Sequence, residues 1–397
     1  MNKDYDIGVL GWWYGENYGS MLTYYALNQT LKKMGYSVLM IHEALGYNGW
    51  RVHWEEDIAP LEFARRVGYD FTEQVHYSEM GKLNEVCRNF MVGSDQLWNP
   101  LIGRVNDDLF LDFVSDGNGR FAYGTSFGNR DTDKFSSDFI ERHQKDLSKF
   151  NALSVREDYA VDIARDIFHV EAKQVVDPVF LLEQVDYVKL AEKSEFKLPE
   201  KYLLAFILDP NEGKRSAIEA AAKKLNFDKI VVLANPEDRG TSEKIFGGDT
   251  FTIVENNMPE NWLNAYKNAG YVITDSFHGS CFAFIFERPF SAFYNLVRGA
   301  DRFVNLMNLF GLGEQRRIYE TDTLDDLNAN SNVSLQIDFE QGKNNVSKRK
   351  TASLTWFEKV LSEAVPIVSL EDQVEALKKE NEILKQTIAI LSRDILK

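Results

Sequence analysis

Cysteine is nearly missing from this chain. Cys87 and Cys281 are the only two among 397 residues, they lie far apart, and neither has metal-ligand spacing around it. That excludes a disulfide framework and a zinc site, and it points to a reducing compartment. Long apolar runs are missing as well: no stretch reaches the roughly 18 residues of a membrane span. The N-terminal MNKDYDIGVL has neither the basic head nor the apolar core of a secretory signal. A cytoplasmic protein is the expectation, with contact at a membrane surface left open. Basic charge is in deficit, 45 Lys and Arg against 61 Asp and Glu for a net charge of -16, which argues against nucleic acid as a partner. Also absent is the G-x-G-x-x-G fingerprint of a dinucleotide site.

Present instead is enough apolar material for more than one core. The chain is 44% hydrophobic and 13% aromatic, and its length exceeds what one core usually spans. Residues 6–11 (DIGVLG) form a short apolar run that ends in the loop WWYGENYGS. From Met21 the spacing turns helical, with Leu22, Tyr25, Ala26, Leu31 and Met34 near one face, Ser20 as a candidate cap and Gly35 as a candidate stop. A second apolar run at 37–41 completes the strand, loop, helix, strand order of a parallel sheet. Further strands are expected at 90–92, 121–123, 152–155 and 175–179. After a charged segment around 182–199 a second series opens with YLLAFIL, KIVVLA, TFTIV and YVIT, separated by helical patterns. The expected fold is α/β: two Rossmann-like domains, 1–185 and 186–365, facing a cleft at the carboxyl ends of their strands.

The tail at 366–397 carries the clearest period. Leu370, Val374, Leu377, Asn381, Leu384, Ile388, Leu391 and Ile395 are spaced alternately by four and three, a heptad seam broken only by Asn381. One buried Asn at such a position fixes register in a two-stranded coil, so residues 370–395 predict a homodimer. A helix packed on its own domain is the alternative, although such helices usually show a wider apolar stripe.

Chemistry-bearing residues gather where strands end. In TDSFHGSCFAFIFERPF, the run YVIT precedes a turn that carries Asp275, Ser276, Phe277 and His278, and a buried helix follows. The helix end favours an anion. Gly279 allows close approach to the backbone, Ser276 and Ser280 offer hydroxyls, and His278 can donate a proton. The same residues also suit helix caps and a satisfied core histidine. GSDQLWNP places Ser94 and Asp95 directly after the run FMV, where Asp95 can orient a hydroxyl or cap a turn. Arg156 in SVREDYA can grip a phosphate or carboxylate, or pair on the surface with Glu157 or Asp158. In the first loop, Asn17 suits an anion or a sugar hydroxyl, and Trp12, Trp13 and Tyr14 are candidates for stacking on a sugar face. Turn chemistry and aromatic packing between domains explain that loop as well.

Taken in order, GENYGSMLTYYAL, FMVGSDQLW, YGTSFG, SVREDYA, VVDPVFLL and ITDSFHGSCFAFIFERPF resemble the polysaccharide pyruvyl transferase family over roughly the first three-quarters of the chain. The resemblance implies a GT-B-like pair of domains and phosphoenolpyruvate as donor co-substrate. As acceptor it implies a sugar diol of a surface polysaccharide precursor, and a lipid-linked one would bring the enzyme to the inner face of the membrane. No metal or other cofactor is implied. Position by position, the resemblance matches the family's strand-end carboxylate to Asp95, its arginine before a helix to Arg156 and its histidine before glycine to His278. The expected site then has His278 and Asp95 as catalytic residues, Arg156, Ser276, Gly279, Ser280 and Ser94 on the donor side, and Asn17, Tyr18 and Trp13 on the acceptor side. One position departs from the pattern: many members resemble Arg-x-His-Gly at the last motif, where this chain has Ser276. Arg288, Arg298 or Arg302 is then needed for the missing charge, or the donor differs. A nucleotide-sugar glycosyltransferase and a non-catalytic assembly protein are the competing expectations.

Overall fold

The computed structural model describes residues 3–42, 44, 58–102, 107–133, 135–254, 258–294 and 299–364, together with Lys378 and Lys385. The heptad positions 370–395 and Arg298 lie outside the described residues, apart from Lys378 and Lys385 themselves. Thirteen strands are described, and they fall into two wholly parallel sheets. In the first, β1 (Tyr5–Leu10), β2 (Val38–Ile41), β3 (Asp70–Phe71), β4 (Cys87–Val92), β5 (Gly119–Thr125), β6 (Ala152–Val155) and β7 (Lys173–Gln174) run in the order β3-β2-β1-β4-β5-β6-β7. In the second, β8 (Leu203–Phe206), β9 (Ile230–Leu233), β10 (Phe251–Val254), β11 (Tyr271–Thr274), β12 (Phe290–Phe293) and β13 (Arg317–Ile318) run β10-β9-β8-β11-β12-β13. Both sheets reverse direction beside their first strand, the doubly wound arrangement whose crevice at the carboxyl ends is the usual ligand site.

The helices α1 (Tyr18–Lys33), α2 (Ala59–Arg66), α3 (Ser137–Leu147) and α4 (Asp158–Asp166) accompany the first sheet. With the second come α5 (Gln184–Ala191), α6 (Glu212–Leu225), α7 (Arg239–Phe246), α8 (Pro259–Asn268), α9 (Phe277–Ile285), α10 (Ala300–Leu309) and α11 (Leu324–Ala329). The long α12 (Glu340–Ala364) returns to the first sheet, where the Ser353 hydroxyl accepts from the Val176 amide at 3.0 Å and Phe357 packs on Tyr123.

Strands buried on both faces need helices on both sides, and the core follows that rule. One apolar cluster fills the far face of each sheet, and a third runs continuously between the two domains. Tyr18 at the start of α1 stacks on Trp262 of α8 with centroids 5.8 Å apart and meets Phe206 edge-on, so aromatic packing holds the domains together at the base of the crevice.

Two local expectations are corrected. Asn17, not Ser20, caps α1, accepting from the amides of Gly19 and Ser20; Ser20 lies within the helix. Residues 175–179 are not a strand: β7 ends at Gln174, and Pro178, which has no N–H to give a ladder, opens a short 3-10 turn capped by Asp177.

Candidate functional site

The polar groups of the crevice come from the carboxyl ends of four strands. Asp95 follows β4, Arg156 follows β6, Asp177 follows β7, and His278 sits in the first turn of α9, directly after β11. The backbone fixes these ends against one another. Asp95, held at φ 90°, accepts from the amides of Leu97 and Ser126 through its carbonyl, and Thr125 accepts from the Arg156 amide at 3.2 Å. Positive φ is uncommon for any residue with a side chain, though Asp tolerates it better than most. The side chains then form a chain of contacts across the domain boundary. His278 Nε2 is 3.3 Å from Asp177 Oδ2 and 2.9 Å from the Thr23 hydroxyl of α1. Arg156 donates to Asp177 at 2.7 Å, Glu157 at 3.2 Å and Asp95 at 3.4 Å. The Ser20 hydroxyl reaches Asp95 at 3.4 Å.

His278 is only 6% exposed, but its neighbours are polar and charged rather than aliphatic. Its ring rests on the first turn of α1: a Cβ on Gly19 would sit 2.3 Å from Nδ1, so only glycine leaves room for the imidazole. The side chain of Asp95 keeps 15% of its surface, the most open of the cluster's carboxylates.

Buried ions in contact set each other's protonation. Burial alone would raise the Asp177 carboxyl, but His278 and Arg156 hold it well below the usual carboxylate range. Asp95 is depressed in the same way, burial opposing and Arg156, His278 and Arg302 prevailing. For Arg156, burial favours loss of the proton, yet Glu157, Asp177 and Asp95 push its value up. Arg302 of α10, only 5% exposed, joins this group: its guanidinium lies 5.7 Å from the Phe277 ring centroid, and that of Arg156 lies 4.5 Å from the same centroid. Burial, then the nearby Arg156 charge, lowers its value. With its amide turned, the Gln96 oxygen accepts from both terminal nitrogens of Arg302 at 3.1 Å.

Of the residues singled out from sequence, Asp95, Arg156 and His278 come together; the others have local roles here. Ser276 caps α9 by accepting from the Gly279 amide, Ser280 donates back to the Ser276 carbonyl, and Ser94 donates to the Gly124 carbonyl. Gly279 faces Thr274 and Tyr266, where a Cβ would meet their oxygens at 2.4 and 2.7 Å. Asp275 accepts from the Leu208 amide and from the Lys214 ammonium, tying α6 to β11. Trp13 corrects the stacking expectation, and Tyr18 the acceptor-side one. They are 1% and 2% exposed, the Trp13 indole N–H donates to the Ile41 carbonyl, and neither presents a free ring face to a sugar. Asn17 is occupied by its cap. Arg156 is not a surface ion pair with Glu157, since both are buried.

Sequence reasoning missed Asp177, Thr23 and Glu157 as members of the cluster. Asp177 stands in VVDPV, where the proline was the available signal that the carboxylate leaves the strand. Among the described residues no group of three or more His, Cys, Asp or Glu is arranged to hold a metal, and no helix is long and apolar enough to cross a membrane.

Two facing parallel-sheet domains with a polar cluster where their strand ends meet define a GT-B-like α/β protein. Solved structures share this architecture. UDP-GlcNAc 2-epimerase from Methanocaldococcus jannaschii, in complex with UDP-GlcNAc and UDP, aligns over 88% of this chain and 99% of its own with a TM-score of 0.53 at 15% identity. UDP-N-acetylglucosamine 2-epimerase from Rickettsia bellii aligns over 90% and 98% with 0.52 at 12%. The wall teichoic acid polymerase TagF, H444N with CDPG, aligns over 91% and 88% with 0.50 at 13%. At such identities the likeness is one of fold. No curated protein sequence matches. The sequence pattern of the polysaccharide pyruvyl transferase family matches residues 17–296, and the chain belongs to that family.

Proposed function

We propose that this protein transfers the enolpyruvyl unit of phosphoenolpyruvate to two hydroxyls of a sugar in a surface polysaccharide precursor, forming a pyruvate ketal. The observation that carries the reading is the contact chain His278, Asp177, Arg156, Asp95, which joins the three residues matched to the family's motifs through one buried carboxylate. In the proposed chemistry His278 gives a proton to the methylene carbon, the adjacent carbon becomes cationic, and one sugar hydroxyl adds to it. Phosphate leaves, and the second hydroxyl closes the ring. The two hydroxyl protons balance the one taken up by the new methyl group and the one carried away by phosphate. Asp95, the more open carboxylate, orients and deprotonates the acceptor. Asp177 keeps the imidazole in place, while Arg156 steadies the anionic donor. Arg302 supplies a second guanidinium in place of the arginine that Ser276 replaces.

A nucleotide-sugar reaction is the second reading, favoured by a fold shared with enzymes of UDP-GlcNAc. The two separate in one assay. With phosphoenolpyruvate and a panel of envelope saccharides, the proposal expects phosphate release that depends on the acceptor; nucleotide release from a sugar nucleotide, with none from phosphoenolpyruvate, would replace it.

A further inference from the structure

A cavity of about 490 Å³ opens beside the cluster, with Arg156, Asp177, Phe277 and Arg302 on one wall and α12 on another. It lies in the usual size range of small-molecule sites, and a three-carbon acid with its phosphate fills only part of it. The α12 wall contributes Lys348 and Arg349, adjacent in the chain. This helix lies wholly outside the residues matched to the family, 17–296. The wall is therefore a feature of this chain that the family motifs do not describe.

The charges in the cavity are unevenly committed. Its three carboxylates all have cationic neighbours: Asp177 faces Arg156 and His278, Glu157 faces Arg156, and Asp158 lies 3.7 Å from Arg130. Lys350, next along α12, bonds to the Leu182 carbonyl and to Glu183. Lys348 and Arg349, by contrast, make no side-chain ion pair or hydrogen bond among the described residues. Lys348 is exposed and Arg349 half-buried, so the two present unpaired positive charge at the mouth of a partly enclosed space, where an anion is attracted. Asn305 and Asn308 of α10 add neutral amide donors to the same cavity. Ammonium and guanidinium groups beside amide donors suit phosphate oxygens.

We propose that this cavity is a phosphate subsite in which Lys348 and Arg349 hold a phosphate or diphosphate group of a substrate. The group is either the donor's own phosphate or a phosphate link on the acceptor. The proposal takes the donor's identity from the function given above, but not the subsite's preference for phosphate.

The test is calorimetric titration of the full chain with phosphoenolpyruvate, inorganic phosphate and inorganic pyrophosphate. It compares wild type, Lys348→Gln, Arg349→Gln, the double variant, and Lys359→Gln as a control on the same helix, where the side chain is exposed and pairs with Glu363. Each lost charge-assisted contact weakens binding by about tenfold or more. Loss of phosphoenolpyruvate affinity in the double variant, with Lys359→Gln unchanged, assigns the subsite to the donor. Loss of pyrophosphate affinity alone assigns it to a diphosphate-bearing acceptor. A wild type that binds pyrophosphate through the two cations but not phosphoenolpyruvate keeps the subsite and removes the donor reading. Equal affinity of wild type and double variant for every probe, or no binding to wild type, overturns the subsite; if phosphoenolpyruvate still binds, the functional reading stands without it.

Discussion

At the scale of single residues, the account turns on a buried carboxylate. Asp177 accepts from Arg156 at 2.7 Å and faces His278 at 3.3 Å, and all three are nearly inaccessible. Removing one charge from a buried pair costs about 3–5 kcal/mol when the partner is left uncompensated; Arg156 keeps Glu157 and Asp95, so the loss here should fall below that range. Asp177→Asn is expected to lower the urea midpoint accordingly, whereas Asp162→Asn on the exposed face of α4, paired with Arg165, should stay within about 0.5 kcal/mol. Equal midpoints would mean that the Asp177 pair is not a buried ion pair in solution. Asp95, Arg156 and His278 were legible because each follows an apolar run that ends in a recognisable turn. Arg302 could only be one of three candidate arginines, since no motif surrounds it and its place beside Phe277 is set by tertiary packing. Ser276, Ser280 and Ser94 show the reverse difficulty: a small hydroxyl at a strand end looks the same in sequence whether it binds a ligand or satisfies the backbone.

At the scale of elements, α1 and α9 meet through an absent side chain. Alanine in place of glycine within a helix ordinarily gains up to about 1 kcal/mol. Gly240→Ala in α7, where nothing lies within 4 Å of the added carbon, should show that gain. Gly19→Ala should instead lose activity, because the new methyl falls 2.3 Å from His278 Nδ1 and must displace the ring. Turnover and thermal midpoint measured on both variants decide the matter; an unaffected Gly19→Ala enzyme would free the imidazole from the place described. The helices and strands themselves were largely readable. β6 and β11 fall at 152–155 and 271–274 as the apolar runs indicated. The aromatic loop at 12–18 was not, since Trp13 and Tyr18 carry polar tips suited to a sugar face and to a domain interface alike, and packing decided for the interior, Tyr18 against Trp262 and Phe206 and Trp13 against Tyr14 and Tyr69.

At the scale of the whole molecule, the cluster joins both domains, so its charge state couples to their union. Asp177 and Asp95 have folded-state values depressed by neighbouring cations. Their stabilisation is fully present above the unfolded carboxyl value of about 3.9 and is lost as pH falls below it towards the depressed values. Denaturation followed against pH should show stability declining from about pH 4 downward, with Asp177→Asn removing part of that dependence; an identical profile in the variant would contradict the coupling. For the heptad seam at 370–395 we propose a two-stranded coil, so the full chain should sediment as a dimer and a chain ending at 369 as a monomer. A truncated chain that remains dimeric would place the interface elsewhere.

The most direct measurement uses phosphoenolpyruvate labelled with carbon-13 at its methylene position, incubated with the enzyme and envelope saccharides and followed by NMR. The proposed reaction turns that carbon into a methyl group attached to a ketal, in step with phosphate release, and His278→Ala should slow the conversion by about 10²–10⁴-fold. A methylene signal that stays unchanged with every saccharide while a sugar nucleotide is consumed, or full conversion by His278→Ala, would contradict the assignment of this site.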